Sequence, residues 1–313
     1  MKILITGANG MVGSAFRRIQ SSHELVFAAR QAQGSNTYAA DLMNFEETRK
    51  LISDVRPDSI IHLAAKVGGI KSNMDNMGEF FYKNIILNTN VLEAARVESI
   101  PKVVSLLSTC VYPDKVSYPL TEQQIHNGEP HSSNYGYAFA KRMLDVQSRA
   151  YREQYGCNFI TAIPNNLFGE NDNFDLENSH VIPAIIRKVY EANLNNDDVI
   201  LWGDGSPLRE FTYSMDLARA LLILVEKYDS PTPINIGNTR EISIKELAEE
   251  VASLLKFKGT IRWDTDKPAG QFRKPSSNSR FLNLCDMYYT SFGEALKKTC
   301  DWFIMNYPNV RGV

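Results

Sequence analysis

The chain has 313 residues, 43% hydrophobic and 22% charged, which is ordinary for a soluble globular protein with one large domain or two smaller ones. A formal net charge of −2 argues against nucleic acid or an anionic membrane surface as the main partner. No apolar run approaches the length of a membrane span.

Taken in chain order, Lys2–Thr6 reads as a buried strand that breaks at once into glycine, not as a secretory signal. A helical stretch over Met11–Ser21 follows, then a strand over Glu24–Ala29, a helix over Phe45–Val55 and a strand over Ser59–Ala64. A long helix over Asp75–Val97, a strand over Lys102–Leu107, a second long helix over Tyr135–Tyr155 and a strand over Asn158–Pro164 continue the alternation. This rhythm predicts an α/β fold: a Rossmann-type, doubly wound, mostly parallel sheet with helices on both faces. After Pro164 the pattern changes. Residues 165–178, rich in Asn, Asp and Phe, read as loop, followed by a helix over Val181–Asn193 and a short strand over Val199–Trp202. A helix over Met215–Tyr228, a strand over Pro233–Ile236 and a helix over Ser243–Leu255 come next, the last with a Ser243/Glu246 capping pattern. The expected division is a dinucleotide-binding domain over 1–164, with later return segments near 211–237, and a smaller substrate-binding α/β region over 165–313. The four cysteines, Cys110, Cys157, Cys285 and Cys300, lack CxxC spacing or a disulfide-dense pattern, so reduced thiols in the cytoplasm are expected.

Gly7-Ala8-Asn9-Gly10-Met11-Val12-Gly13 lies between the first strand and the first helix. Glycines there permit a tight turn and let main-chain N–H groups approach a pyrophosphate at the helix N-terminus. The spacing is GxxGxxG, not the usual GxGxxG, and its weight comes from its place directly after an N-terminal strand. The second strand ends at Arg30, where an acidic residue would suit the ribose of NAD and an arginine suits the 2′-phosphate of NADP. The alternative for Arg30 is a solvated surface cation. Asp41 could bond the adenine end, or simply cap its own turn.

Tyr137 and Lys141 share one helix face at i, i+4. A buried ammonium beside a phenol favours the phenolate, so the pair predicts a tyrosine of lowered pKa acting in proton transfer. Ser108 supplies a hydroxyl where the preceding strand opens onto the expected cleft.

The glycine turn, Ser108, Tyr137 and Lys141, in this order, resemble the extended short-chain dehydrogenase/reductases. Within them the chain is similar to the GDP-L-fucose synthase family, the GDP-4-keto-6-deoxymannose epimerase/reductases. The most specific matches are Gly10–Ala15, Ala65-Lys66-Val67-Gly68-Gly69-Ile70 and Ser108–Pro113, with further matches at Asp172-Asn173-Phe174, Asn178–Ala184 and Trp202-Gly203 through Pro207–Phe211. The resemblance implies epimerisation at C3 and C5 of a 4-keto sugar by Cys110 and His180, followed by NADPH-dependent reduction at C4 with Ser108, Tyr137 and Lys141. Cys110 stands where related dehydratases carry a glutamate base. The resemblance also implies NADP contacts at Gly7, Asn9, Gly10, Met11, Val12, Gly13, Arg30, Asp41, Leu42, Leu63, Ala64, Ala65, Lys141, Pro164, Asn166, Leu167 and His180, with no metal. Asn166, Lys188, Trp202, Arg209 and Gly270 would hold the GDP-sugar, and the long helices over 75–97 and 135–155 would pair two copies as a homodimer. Two departures stand out: Lys188 where the family often has arginine, and Ala269 where it often has aspartate. The alternatives are an epimerase/reductase for another 4-keto nucleotide sugar, or a non-catalytic NADP-binding protein.

Overall fold

The computed structural model describes residues 1–267 and 272–313. In chain order its elements are β1 (Lys2–Thr6), α1 (Met11–Arg18), β2 (Glu24–Ala29), β3 (Thr37–Ala39), α2 (Phe45–Val55), β4 (Ser59–His62), α3 (Ile70–Asp75), α4 (Met77–Val97) and β5 (Lys102–Leu106). Then come α5 (Tyr135–Tyr155), β6 (Asn158–Ile163), β7 (Asn166–Phe168), α6 (Val181–Asn195), β8 (Val199–Trp202), β9 (Leu208–Tyr213) and α7 (Ser214–Lys227). The remainder is β10 (Ile234–Asn235), β11 (Glu241–Ser243), α8 (Ile244–Leu254), β12 (Ile261–Asp264), α9 (Ser279–Leu282) and α10 (Phe292–Asn306).

Seven strands pair in the order β10-β6-β5-β4-β1-β2-β3, every pairing parallel. This is a Rossmann-type doubly wound sheet. The period-2 geometry of strands explains its two covered faces. Leu4, Ile60, Val103 and Phe159 point to one side, into a core with Ile52 of α2, Leu92 of α4 and Leu144 of α5. Ile3, Ile5, Ile61 and Val104 point to the other, against Phe16 of α1 and Leu221 and Leu224 of α7. The chain reverses direction of strand addition between β1 and β4, and the crevice beyond their carboxyl ends is where ligands of such sheets bind.

Two small sheets complete the molecule: β11-β9-β7, with β9 parallel to β7 and antiparallel to β11, and the parallel pair β12-β8. Their core joins Ile186 and Val189 of α6, Leu247 and Val251 of α8, and Leu296 and Phe303 of α10. Ser243 and Glu246 form the expected capping box of α8.

Several expectations are corrected. The first helix stops at Arg18, three residues before Ser21. The helix expected over Asp75–Val97 begins at Met77, and an unexpected short helix, α3, precedes it over Ile70–Asp75. The expected loop over 165–178 contains β7, held by pairing to β9 rather than by its own three-residue pattern.

The buried carboxylate of Glu210 in β9 ties these parts together. It accepts hydrogen bonds from Asn165 Nδ2 (3.2 Å), the Ser276 amide (2.9 Å) and the Ser276 hydroxyl (2.6 Å). The Glu210 carbonyl accepts from Asn166 Nδ2 (2.9 Å).

Candidate active site

The turn after β1 is shaped by contacts that leave no room for a side chain. Gly7 has φ +71°, and a Cβ there would lie 2.8 Å from the Ala64 amide nitrogen; one on Gly13 would lie 2.5 Å from the Ala8 carbonyl. Gly10 caps α1 with no side-chain cap bond and no acidic residue in the first turn. Its free first-turn N–H groups and the positive end of the helix dipole suit a pyrophosphate, so the turn fits a dinucleotide. Thr6 Oγ1 accepts from the Leu63 and Ala64 amides (3.1 and 3.3 Å), which fixes the end of β4 against this turn. With both lone pairs taken, the Thr6 hydroxyl donates to His62 Nδ1 (2.8 Å), and His62 Nε2 donates to Asn88 Oδ1 (3.0 Å). Burial, and then the Lys141 charge, push the His62 pKa down to about 3, so the ring is a neutral strut.

The other expected cofactor residues divide. Asn9 donates through its side chain to the Gln31 carbonyl (3.0 Å), and Arg30 is exposed at the end of β2. Asp41 Oδ1 accepts from the Met43 amide (3.0 Å), the turn-capping alternative. The Leu42 side chain is buried in the core, which leaves only its main chain to face a ligand. Ala65 is half-buried just beyond the fixed end of β4; Pro164 is buried after β6, and Asn166 and Leu167 open β7.

Across the crevice, Ser108 ends the β5 segment, and its Oγ accepts from the Cys110 amide (3.3 Å), capping a 3-10 turn over Thr109–Val111. Arg142 Nε donates to the Val111 carbonyl (2.7 Å), anchoring that turn to α5. Tyr137 and Lys141 lie one helical turn apart on α5. Lys141 Nζ sits 5.9 Å from the Tyr137 ring centroid and donates to the Leu106 carbonyl (2.8 Å). Burial lowers the Lys141 pKa to about 8. The expected lowering of Tyr137 is corrected: burial, and then Cys110, push its phenol upward. The lysine holds its proton less tightly for the same reason the phenol holds its own more tightly, since both sit in low dielectric. Tyr137 at neutral pH is therefore a proton donor.

His180 occupies the N-cap position of α6. Asp175 Oδ1 shapes the preceding loop by accepting from the Glu177 and Asn178 amides (3.0 and 2.7 Å). Exposed to solvent on one side and crowded by protein on the other, His180 has its pKa lowered by desolvation and then by the Arg311 guanidinium. On the same loop, the buried Asp172 Oδ2 has no hydrogen-bond partner among the described residues. Burial raises its pKa to about 7, against the Asn173 amide and Arg311.

Of the expected substrate residues, Lys188 reaches β8, its Nζ 3.4 Å from the Ile200 carbonyl, and Trp202 at the end of β8 is 58% exposed and so open to a ligand. Arg209 is half-buried on β9. Gly270 and Ala269 lie outside the described residues. Sequence reasoning missed Lys274. Its half-buried ammonium is pushed down by burial and by Arg209, and held up by Cys110 and Asp114, so it lies within electrostatic reach of both the thiol and the arginine. Its place follows from the Glu210 grip on Ser276, two residues on; the only signal in the sequence was its nearness to Lys267–Gly270.

A dinucleotide turn facing a serine, a tyrosine and a buried lysine across a parallel sheet defines an enzyme that moves hydride to or from a carbonyl carbon. The profile of the NAD dependent epimerase/dehydratase family matches residues 3–237. The chain is 42% identical to GDP-L-fucose synthase of Dictyostelium discoideum over 99% of this chain and 97% of that one. It is 35% identical to GDP-L-colitose synthase of Yersinia pseudotuberculosis over 99% and 100%. The crystal structure of a GDP-L-fucose synthetase from Naegleria fowleri bound to NADP superposes with a TM-score of 0.92 at 39% identity, covering 99% of this chain and 94% of that one. The chain belongs to the NAD dependent epimerase/dehydratase family.

Proposed function

We propose that this protein epimerises GDP-4-keto-6-deoxy-D-mannose at C3 and C5 and then reduces C4 with NADPH, giving GDP-L-fucose. The observation that carries the reading is a cysteine, not a carboxylate, beside the Tyr137–Lys141 pair; a carbon acid next to a ketone needs a base there. Full-length similarity to GDP-L-fucose synthases supports the substrate. The 4-keto group acidifies the protons on C3 and C5, and Cys110 and His180 exchange them on opposite faces of the sugar. Cys110 removes the proton on one face and the His180 imidazolium returns one from the other, each then exchanging with solvent; a lowered pKa makes that imidazolium the readier donor. Ser108 and Tyr137 donate to O4 as negative charge develops there, stabilisation of the kind that usually dominates enolate formation. NADPH supplies the hydride when bound, and Tyr137 protonates O4 as C4 is reduced. Lys141 stays close to the phenol and would orient the nicotinamide ribose.

Residues 1–164, with return segments near 211–237, would carry NADP. The remainder would carry the sugar nucleotide, with Lys188, Arg209 and Lys274 on the diphosphate and Trp202 at the base or sugar. Phe81 on α4 and Met143 and Val146 on α5 are exposed apolar side chains, which supports a homodimer through these two helices. Four free cysteines suit the cytoplasm. The test is NADPH oxidation with GDP-4-keto-6-deoxy-D-mannose and identification of the product by NMR. GDP-L-fucose is expected; an unepimerised 6-deoxy sugar would remove Cys110 and His180 from their roles.

A further inference from the structure

The segment after β4 crosses toward the loop that carries His180, and the two meet through a main-chain hydrogen bond. Asn84 of α4 holds the near end of this strap, accepting from the Lys66 amide and donating to the Lys66 carbonyl, each at 3.0 Å. Asn73 holds the far end, donating to the Gly68 and Gly69 carbonyls (2.8 and 3.0 Å). Between these anchors, the Gly69 amide donates to the Asn178 carbonyl (3.0 Å), two residues before His180. A Cβ on Gly69 would lie 3.0 Å from the Ser179 carbonyl oxygen, the peptide adjoining His180. From outside, the Arg311 carbonyl accepts from the Phe174 amide (2.8 Å) and the Gly312 carbonyl from Arg187 Nη1 (2.7 Å). The His180 loop is therefore held on two sides, and on the inner side a side chain at position 69 would press on the Ser179 carbonyl.

We infer that Gly69 is a positioning residue for His180: the bare glycine lets the anchored strap set the height of the Ser179–His180 peptide over the cleft. The inference rests on the epimerase reading given above. Gly69 has φ −65° and ψ 175°, a conformation open to alanine, so Gly69→Ala acts through the contact with Ser179 and not through backbone strain. A side chain there displaces the peptide by a few tenths of an ångström. Since a 1 Å misplacement costs about a hundredfold, about a tenfold loss is expected in proton exchange.

The test uses the NADP-loaded enzyme and follows solvent-deuterium entry at C3 and C5 of GDP-4-keto-6-deoxy-D-mannose. Hydride transfer alone is read as the first turnover of NADP⁺ reduction by GDP-L-fucose. Gly69→Ala is expected to slow exchange about tenfold while hydride transfer, NADPH affinity and Tm stay near wild type. Asn73→Ala, which frees the strap at a distance from His180, should slow exchange in the same selective way. Exchange within twofold of wild type in Gly69→Ala, or equal loss of exchange and hydride transfer, overturns the inference. No labelling in the wild-type enzyme would overturn the epimerase reading itself, an outcome distinct from equal labelling of both proteins.

Discussion

Burying an ammonium group in a protein interior is costly, and Lys141 is 3% exposed with its Nζ on a main-chain carbonyl. Its pKa of about 8 means that the folded state binds its proton more weakly than the unfolded chain does. The native state is thus penalised below pH 8, and the penalty is relieved as pH rises from about 8 toward the ordinary lysine value near 10.4. Lys141→Met should abolish reduction yet raise stability at pH 7 by about 1 kcal/mol, a gain that shrinks by pH 10; urea unfolding at both pH values checks it. A smaller pH effect belongs to Arg311, which lowers the pKa of His180. In Arg311→Gln the His180 imidazole should titrate at higher pH than in wild type, read from its ring proton shifts by NMR. The Tyr137–Lys141 pair was legible because helical spacing alone puts both side chains on one face. Lys274 and Arg311 were not, since no spacing links them to the cleft. Glu210 draws one in through Ser276, and the Phe174–Arg311 main-chain bond draws in the other.

Close packing of α4 on α5 depends on where side chains are missing. A Cβ on Gly136 would lie 2.5 Å from the Met77 carbonyl, backbone that cannot swing aside, whereas Gly78, one residue along α4 from Met77, has nothing within 4 Å of its Cβ position. Gly136→Ala should destabilise the protein by about 2 kcal/mol and disturb Tyr137 next to it. Gly78→Ala should stabilise by about 0.5–1 kcal/mol through helix propensity. Urea midpoints of the two variants should therefore move in opposite directions. The long apolar-periodic helices and fully apolar strands of the main sheet were readable because each carries its signal locally. β3, β7 and β11 were not, because strands of three residues offer too few positions for alternation and exist by pairing with a neighbour. Helix α3 was also missed, since six residues span too few turns to show a period.

At the scale of the whole molecule, two buried groups have opposite effects on acid stability. His62 titrates near 3 when folded instead of 6.5, so stability from this residue falls as pH drops from 6.5 to 3. Asp172 titrates near 7 instead of 3.8, so stability from this residue rises as pH drops from 7 to 3.8. Between about pH 4 and 6.5 the two slopes, each up to about 1.4 kcal/mol per pH unit, oppose one another. Asp172→Asn should remove one of them and leave a protein that loses stability steadily over that range, measurable by thermal unfolding at a series of pH values.

The edge strand β10 has a consequence for how the protein is made. It pairs with β6, yet seventy residues, including three strands of the smaller sheets and two helices, separate them along the chain. A ribosome releasing this polypeptide from its N-terminus exposes the β6 edge well before the strand that covers it exists. Until residue 235 emerges, the open edge at Ala162–Ile163 is available to any passing strand, so slow translation between residues 164 and 234 lengthens that exposure.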